Sequence, residues 1–272
     1  MGVSSELAIF NVTDPEDPIF LNQITVGSTT YGMTIDENHE YLYVAAMSNS
    51  LTIYNVSDAE NPELVWGKDD NPNHNSRWTY DVFVRGNYAY CADSVGLRIY
   101  DISTPAETES VAYLEKSGTY TSWSVAPYGD NKLLLGQGGG IIDMIDISDP
   151  ENPVLGENIK ASSDIKQMVV SGNTLLAADD SDGLVSFGLS SSGFSYGKLM
   201  DAEESRGSAV AIDADANYVY FAGYRGFFVY DFAACVPGGG LFDEISGYST
   251  SIIALGMILG LALLLSLRKR KL

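Results

Sequence analysis

The chain has 272 residues, 45% of them hydrophobic, and a formal net charge of −21. That length and apolar content suffice for a sizeable core in one repeat domain plus a tail, while the acidity excludes a nucleic-acid binder, whose phosphate contacts need basic patches. The acid is spread among turns, as on a solvated surface, and the two cysteines, Cys91 and Cys235, fit no metal or redox spacing.

The opening Met1-Gly2-Val3-Ser4-Ser5 has neither the basic nor the apolar region of a signal peptide. Alternating runs then begin at 7–12 (Leu-Ala-Ile-Phe-Asn-Val) and 19–24, separated by Asp14-Pro15-Glu16-Asp17-Pro18. From Tyr31 a longer phrase repeats. Its fullest form is Tyr80-Asp81-Val82-Phe83-Val84-Arg85-Gly86-Asn87-Tyr88-Ala89-Tyr90-Cys91-Ala92-Asp93, then Gly96-Leu97-Arg98-Ile99-Tyr100-Asp101-Ile102-Ser103. β-Branched and aromatic residues at a period of two predict three strands here, joined at Gly86-Asn87 and again at 94–96. The third strand recurs at 7–12, 51–56, 97–102, 142–147, 184–189 and 227–232. Its fifth residue is Asn11, Asn55, Asp101, Asp146, Gly188 and Asp231, at intervals of 44, 46, 45, 42 and 43 residues. Proline-bearing turns follow four of these runs and lead to fourth strands at 19–24, 63–66, 110–114 and 154–159. Four short strands per unit of some forty residues predict an all-β fold, a β-propeller of about five or six four-stranded blades over residues 1–235. Complete units start at Tyr31, Tyr80, Trp123 and Lys166, and a three-stranded one at Ser208. Two readings of the N-terminal strands stay open. Either 19–24 serves as the fourth strand of the last unit, leaving 7–12 spare, or the chain is an N-terminally truncated fragment, which the spare strand favours.

The order D-V-x-V-x-G-N-Y-A-Y-x-A-D, then G-L-x-I-x-D-I-S, resembles the LVIVD repeat of bacterial and archaeal cell-surface propellers. The resemblance spans about residues 5–235, strongest from Tyr80 and weakest from Lys166 onward, where Gly188 stands at the acidic stop. It implies a fold and a surface location rather than an activity.

Past the linker 236–250, residues 251–267 form an uncharged apolar run followed by Arg268-Lys269-Arg270-Lys271. A helix over its sixteen central residues is about 24 Å long, and flanking residues that snorkel let it span a core of about 30 Å. Transmembrane attachment, a basic cytoplasmic tail at 268–272 and a propeller outside the cell are the expectation. The arrangement also resembles archaeal C-terminal sorting signals, although Ser246-Gly247-Tyr248 departs from their Pro-Gly-Phe-like motif.

The chemistry-bearing residues are sparse. His39 and His74 stand in separate polar loops, each without a nearby histidine or cysteine. Gly138-Gly139-Gly140 lies between strands, which is not a phosphate loop. Asp179-Asp180-Ser181-Asp182 could hold calcium, but it lacks the closing Glu of a calcium loop and reads better as a turn. No cofactor is expected and Cys91 reads as a small buried hydrophobe. One constellation stands out. Tyr31, Tyr80, Trp123 and Lys166 fall at the start of successive inner strands, so they would ring one mouth of the central channel, flanked by Arg77 and Trp78. Aromatics with a lysine suit a sugar or an anionic group, while simple packing between blades is the plainer explanation. Asn11-Val12-Thr13 and Asn55-Val56-Ser57 are glycosylation sequons whose asparagines also occupy the repeat's turn position. The reading is a non-catalytic, membrane-anchored surface module that binds a glycan or protein partner. The alternative is an extracellular hydrolase or lyase acting on glycans.

Overall fold

The computed structural model describes residues 5–67, 78–94, 96–115, 120–190, 193–195, 209–223 and 226–235. These residues form six antiparallel sheets that follow one another along the chain. The first is the pair β1 (Glu6–Asn11) and β2 (Ile19–Thr25). The second contains β3 (Met33–Ile35), β4 (Tyr41–Ala45), β5 (Leu51–Asn55) and β6 (Glu63–Gly67). The third contains β7 (Thr79–Arg85), β8 (Tyr88–Asp93), β9 (Gly96–Asp101) and β10 (Glu109–Glu115). The fourth contains β11 (Ser122–Tyr128), β12 (Lys132–Gln137), β13 (Ile141–Asp146) and β14 (Val154–Lys160). The fifth contains β15 (Ile165–Ser171), β16 (Thr174–Asp179), β17 (Gly183–Ser190) and β18 (Gly193–Ser195). The sixth contains β19 (Ala209–Ala214), β20 (Tyr218–Gly223) and β21 (Gly226–Asp231), with a single turn of helix, α1 (Phe232–Cys235), after it.

The result is an all-β propeller. Five blades have an inner strand, four of them four-stranded, and the β1–β2 pair stands before them. The inner strands β3, β7, β11, β15 and β19 pack against one another in series. Alternation along each middle strand explains why it reads as a nearly continuous apolar run: both of its faces are covered. Leu133 and Leu135 join Leu97 and Ile99 on one side, whereas Leu134 joins Leu175 and Phe187 on the other. A hydrophobic cluster fills every interface between consecutive sheets, from Leu7 and Ile24 against Val44 to Leu176 and Leu184 against Phe221. Cys91 and Cys235 are both buried and not joined in a disulfide, the Cys235 thiol donates to the Asp231 carbonyl, and burial pushes the Cys91 thiol up.

The repeat's polar punctuation is turn chemistry. Asn11, Asn55, Asp101 and Asp146 each accept, at Oδ1, the amide N–H two residues on, from Thr13, Ser57, Ser103 and Ser148. Asp14, Asp58 and Asp149 do the same for Glu16, Glu60 and Glu151. These Asx turns end β1, β5, β9 and β13 and start the path to the outer strand. Five of the chain's 36 acidic residues thus serve these turns. The amides beside Asp101 and Asp146, and the Asn61 amide beside Asp58, hold those carboxyls below the ordinary range. Both sequon asparagines sit in this motif, with the Thr13 and Ser57 hydroxyls donating to their Oδ1 at 2.6 and 2.7 Å. Gly86 and Gly172 adopt φ of 55° and 57° in the tight turns of β7–β8 and β15–β16, where a Cβ would be strained.

Two features differ from expectation. The run 19–24 pairs with 7–12 as β2 on β1 and is not the fourth strand of the last sheet. The fifth sheet closes with β18, too short and too rich in serine and glycine to show in the sequence pattern. The expected linker 236–250, span 251–267, tail 268–272 and sorting motif lie outside the described residues, as do His74 and Arg77. Among the described residues no helix is long and apolar enough to cross a membrane.

Candidate functional site

The inner strands share one irregularity. Pairing slips between Thr79 and Asp81, between Ser122 and Ser124, and between Ile165 and Gln167, leaving Tyr80, Trp123 and Lys166 as the bulged residues. In β3's approach, the Tyr31 amide donates to Ala45, whose own amide donates to Gly32, the same two-against-one count. A bulge re-aims its side chain. Repeated on neighbouring inner strands, it aims Tyr31, Tyr80, Trp123 and Lys166 into a single contiguous arc. Tyr31 meets Tyr80 edge-on at 5.3 Å between ring centres, Tyr80 meets Trp123 at 4.5 Å, and the Lys166 ammonium lies 3.9 Å from the centre of the Trp123 ring.

The residue after each bulge ties the blades together. Asp81 Oδ2 accepts the Val125 amide at 3.0 Å, Ser124 Oγ accepts the Met168 amide at 3.1 Å, and Gln167 Oε1 accepts the Ile212 amide at 2.9 Å. In the preceding blade that position is Gly32, where a Cβ would come within 2.4 Å of Asp81 Oδ1. Glycine there admits the carboxylate, which then accepts its own blade's Val82 amide at 2.9 Å. Burial raises the Asp81 carboxyl to about 6 despite hydrogen bonds from Val125, Ser124 and Val82. In the unfolded chain it would titrate near its ordinary value of 3.8. Between those two values the folded chain keeps a proton that the unfolded chain has released. The resulting stabilisation is full below the unfolded value and is lost as pH rises through about 6. Its size, discounted for partial exposure, is about 1 to 2 kcal/mol. Asp81→Asn is expected to remove this increment, measured as the change in urea unfolding free energy between about pH 7.5 and about pH 4.5. An unchanged difference would mean that Asp81 titrates as an ordinary carboxylate.

Exposure divides the arc. Tyr80 is 6% exposed, wedged between its neighbours, and burial, with Tyr31 and Asp93 nearby, pushes its phenol up to about 12. Tyr31 is 50% exposed and Trp78, at the same end, 47%. Lys166 is committed within the protein: its ammonium is 2.9 Å from Asp164 and 3.8 Å from Asp180, on top of its contact with Trp123. Partial burial alone would raise the Asp164 carboxyl, but Lys166, the Gly139 amide and the Trp123 indole hold it below the ordinary range. The grip on an anionic group that the sequence suggested for Lys166 is thus already taken up by two carboxylates. Asp179 is likewise occupied, accepting the amides of Ser162, Ser163, Ser181 and Asp182, so the aspartate run builds a turn around its own backbone. Among the described residues no group of three histidine, cysteine or carboxylate side chains could hold a metal ion. His39 lies in an exposed turn with φ of 58°, its amide donating to Asp36.

Sequence reasoning missed Tyr120 and Asp164, and it named Asp180 as a calcium or turn residue and not as a partner of Lys166. Tyr120 is 49% exposed and packs over the Gly138-Gly139 turn, which leaves no room for a Cβ at Gly139. Its signal was available: it precedes Trp123 by three residues, much as Trp78 precedes Tyr80 by two.

The LVIVD repeat family matches the chain over residues 35–67, 76–112 and 136–160, so the chain carries this repeat in three stretches. The first stretch covers β4–β6, the second β7–β9 and the start of β10, and the third the end of β12 with β13 and β14. No curated protein matches it. Among solved structures it resembles a functionally unknown protein from Desulfotomaculum acetoxidans DSM 771, at 14% identity and a TM-score of 0.67, covering 90% of this chain and 80% of that one. It also resembles the computationally designed Ika8 protein, at 13% identity and a TM-score of 0.58, covering 82% of this chain but only 63% of the designed one. At such identities the likeness is one of fold.

Proposed function

We propose that this LVIVD-repeat propeller is a cell-surface module that binds a ligand or partner without transforming it, serving adhesion or envelope organisation. Residues 251–267 anchor it in the membrane with the propeller outside, and a lipid attached by sorting could replace that anchor. The observation that carries the binding reading is the arc: successive blades, each with a bulge at the same position, collect Tyr31, Tyr80, Trp123 and Lys166 at one end. The opposite end is built from turns whose carboxylates are engaged by their own backbone. Aromatic, serine, glycine and asparagine side chains on rigid strands make an adaptable contact surface at low entropic cost. Two acids near the arc bear on chemistry: Asp81, whose carboxyl burial raises, is engaged between blades by the Val125 and Val82 amides. Asp164 is held ionised by Lys166, the reverse of what a general acid in glycoside cleavage needs.

The test uses whole cells and the full chain. Alkaline carbonate extraction is expected to leave the protein in the membrane pellet, and a membrane-impermeant amine reagent is expected to label the propeller on intact cells. Deletion of 251–267 should release it. Labelling only after lysis would overturn the surface location. Tyr31→Ala and Trp78→Ala are expected to weaken capture of the protein's envelope partner. Undiminished capture by both variants would remove the mouth as the binding face.

A further inference from the structure

The mouth has two chemically distinct halves. One, at the fourth and fifth sheets, is charged and internally satisfied: Lys166 lies between Asp164 and Asp180, and the Ser162 hydroxyl donates to Asp182. The other, at the second and third sheets, contains no charged side chain in residues 26–32, 46–50 or 78–80. Its surface includes Tyr31, edge-on to the buried ring of Tyr80, and Trp78, two residues before Tyr80 in the chain, each about half exposed. Beside them the hydroxyls of Ser28 and Ser48 lie 2.9 Å apart, and Asn49 Nδ2 donates to the Val26 carbonyl at 3.1 Å. These polar groups belong to a turn held in an unusual shape. Met47 and Ser50 have φ of 36° and 54°, the left-handed region that costs a non-glycine residue about 1 kcal/mol or more. The turn is pinned across the blade boundary, where the Met47 amide donates to Thr79 at 3.1 Å and the Thr79 amide donates back at 3.3 Å. That bridge places Trp78, the residue before Thr79, next to the turn that carries Ser48.

Resting on the reading of this mouth as the binding face, we infer that its uncharged half is a subsite for a neutral saccharide. Tyr31 and Trp78 supply π-faces for the C–H face of a pyranose ring, and Ser28 and Ser48 supply hydroxyls that donate and accept toward its hydroxyl groups. A neutral ligand fits because, among the described residues, the carboxylates nearest the subsite are already engaged, Asp81 by the Val125 and Val82 amides and Asp93 by Arg98, which leaves no charge to pair with an ionic ligand. An uncompensated charge taken out of water there would go unrewarded.

The experiment is a glycan array probed with the detergent-solubilised full chain. It carries neutral hexose and N-acetylhexosamine oligosaccharides beside sialylated, uronate-containing and sulfated ones. Signal is expected on neutral glycans. Titration of the best neutral glycan is expected to show affinity reduced about tenfold or more in Tyr31→Ala and in Trp78→Ala, the loss of one stacking contact. Leu64→Ala, an exposed site on an outer strand, is the control and should bind as the parent does. Circular dichroism confirms that the variants are folded, which half-exposed side chains should permit. Binding confined to anionic glycans and abolished by Lys166→Gln would overturn the inference, as would neutral-glycan binding indifferent to both aromatic variants. Silence on every glycan would also overturn it, while partner capture sensitive to Trp78→Ala would leave the broader binding reading standing.

Discussion

Arg98→Ala is expected to destabilise the protein by about 3 to 5 kcal/mol, the cost of stranding a buried charge. Arg98 is 1% exposed and its Nε lies 3.1 Å from Asp93 Oδ2, itself fully buried. The guanidinium also lies over the ring of Tyr113 at 5.3 Å and near that of Tyr100 at 6.0 Å. Removing it leaves the Asp93 carboxylate in a dry environment with its main counter-charge gone. The same strand position is Thr52 in the preceding blade, Asp143 in the next and Val185 in the one after. Asp143 is matched there by Gln137, whose amide donates to it. Beside Val185 the residue at the Asp93 position is still an aspartate, Asp179, whose carboxylate is met by the amides of Ser162, Ser163, Ser181 and Asp182 instead of by a guanidinium. The double variant Asp93→Asn/Arg98→Met should recover most of the loss, because it removes both charges and keeps the volume. Chemical denaturation of the single and double variants measures this. A single variant within about 1 kcal/mol of the parent would mean that water reaches the pair.

Phe187→Ala is expected to cost a similar amount, about 3 to 5 kcal/mol, for a different reason. Its ring, 2% exposed, fills the interface between the fourth and fifth sheets with Leu134, Met144, Leu175 and Ala177. Truncation removes transfer free energy and leaves a cavity that rigid sheets on both sides cannot collapse. Because each sheet is stabilised by its neighbours, the loss should not spread evenly. Hydrogen exchange is expected to quicken first in β15–β17, with β7–β9 protected longer. Uniform acceleration across all sheets would show that the propeller unfolds as one unit.

Most of the framework was legible because it repeats. Third strands at 51–56 and 97–102 appear as β5 and β9, within a residue at each end, because an Asx turn terminates each at a fixed place. Proline after that turn marked the outer strands β2, β6, β10 and β14. The partnering of 19–24 could not be read, since two strand edges of similar pattern competed for it and only packing of Leu7 and Ile24 on Val44 decides between them. At the mouth, counting along the repeat found the bulge positions without revealing that they were bulges. Whether an aromatic at such a place is packed, as Tyr80 is, or presented, as Tyr31 is, depends on what stands on both sides of it. The state of Lys166 was hidden for a related reason. Asp164 is two residues away on an extended strand, and Asp180 reaches it from the neighbouring hairpin.

Every sheet is assembled from consecutive strands, and every hydrophobic cluster joins a sheet only to the next one in sequence. A blade is therefore finished as soon as its own residues have left the ribosome, and it can dock on the one before it without waiting for any distant part of the chain. Loops to be closed never exceed a unit by much, which keeps the entropic cost of each closure low and the search short. The apolar face awaiting cover at any moment is that of the newest blade, and the interval before the next covers it is set by the pace of translation. On the proposed surface location, the chain would enter its export or membrane-insertion route already partly folded, which places a demand on the machinery that moves it.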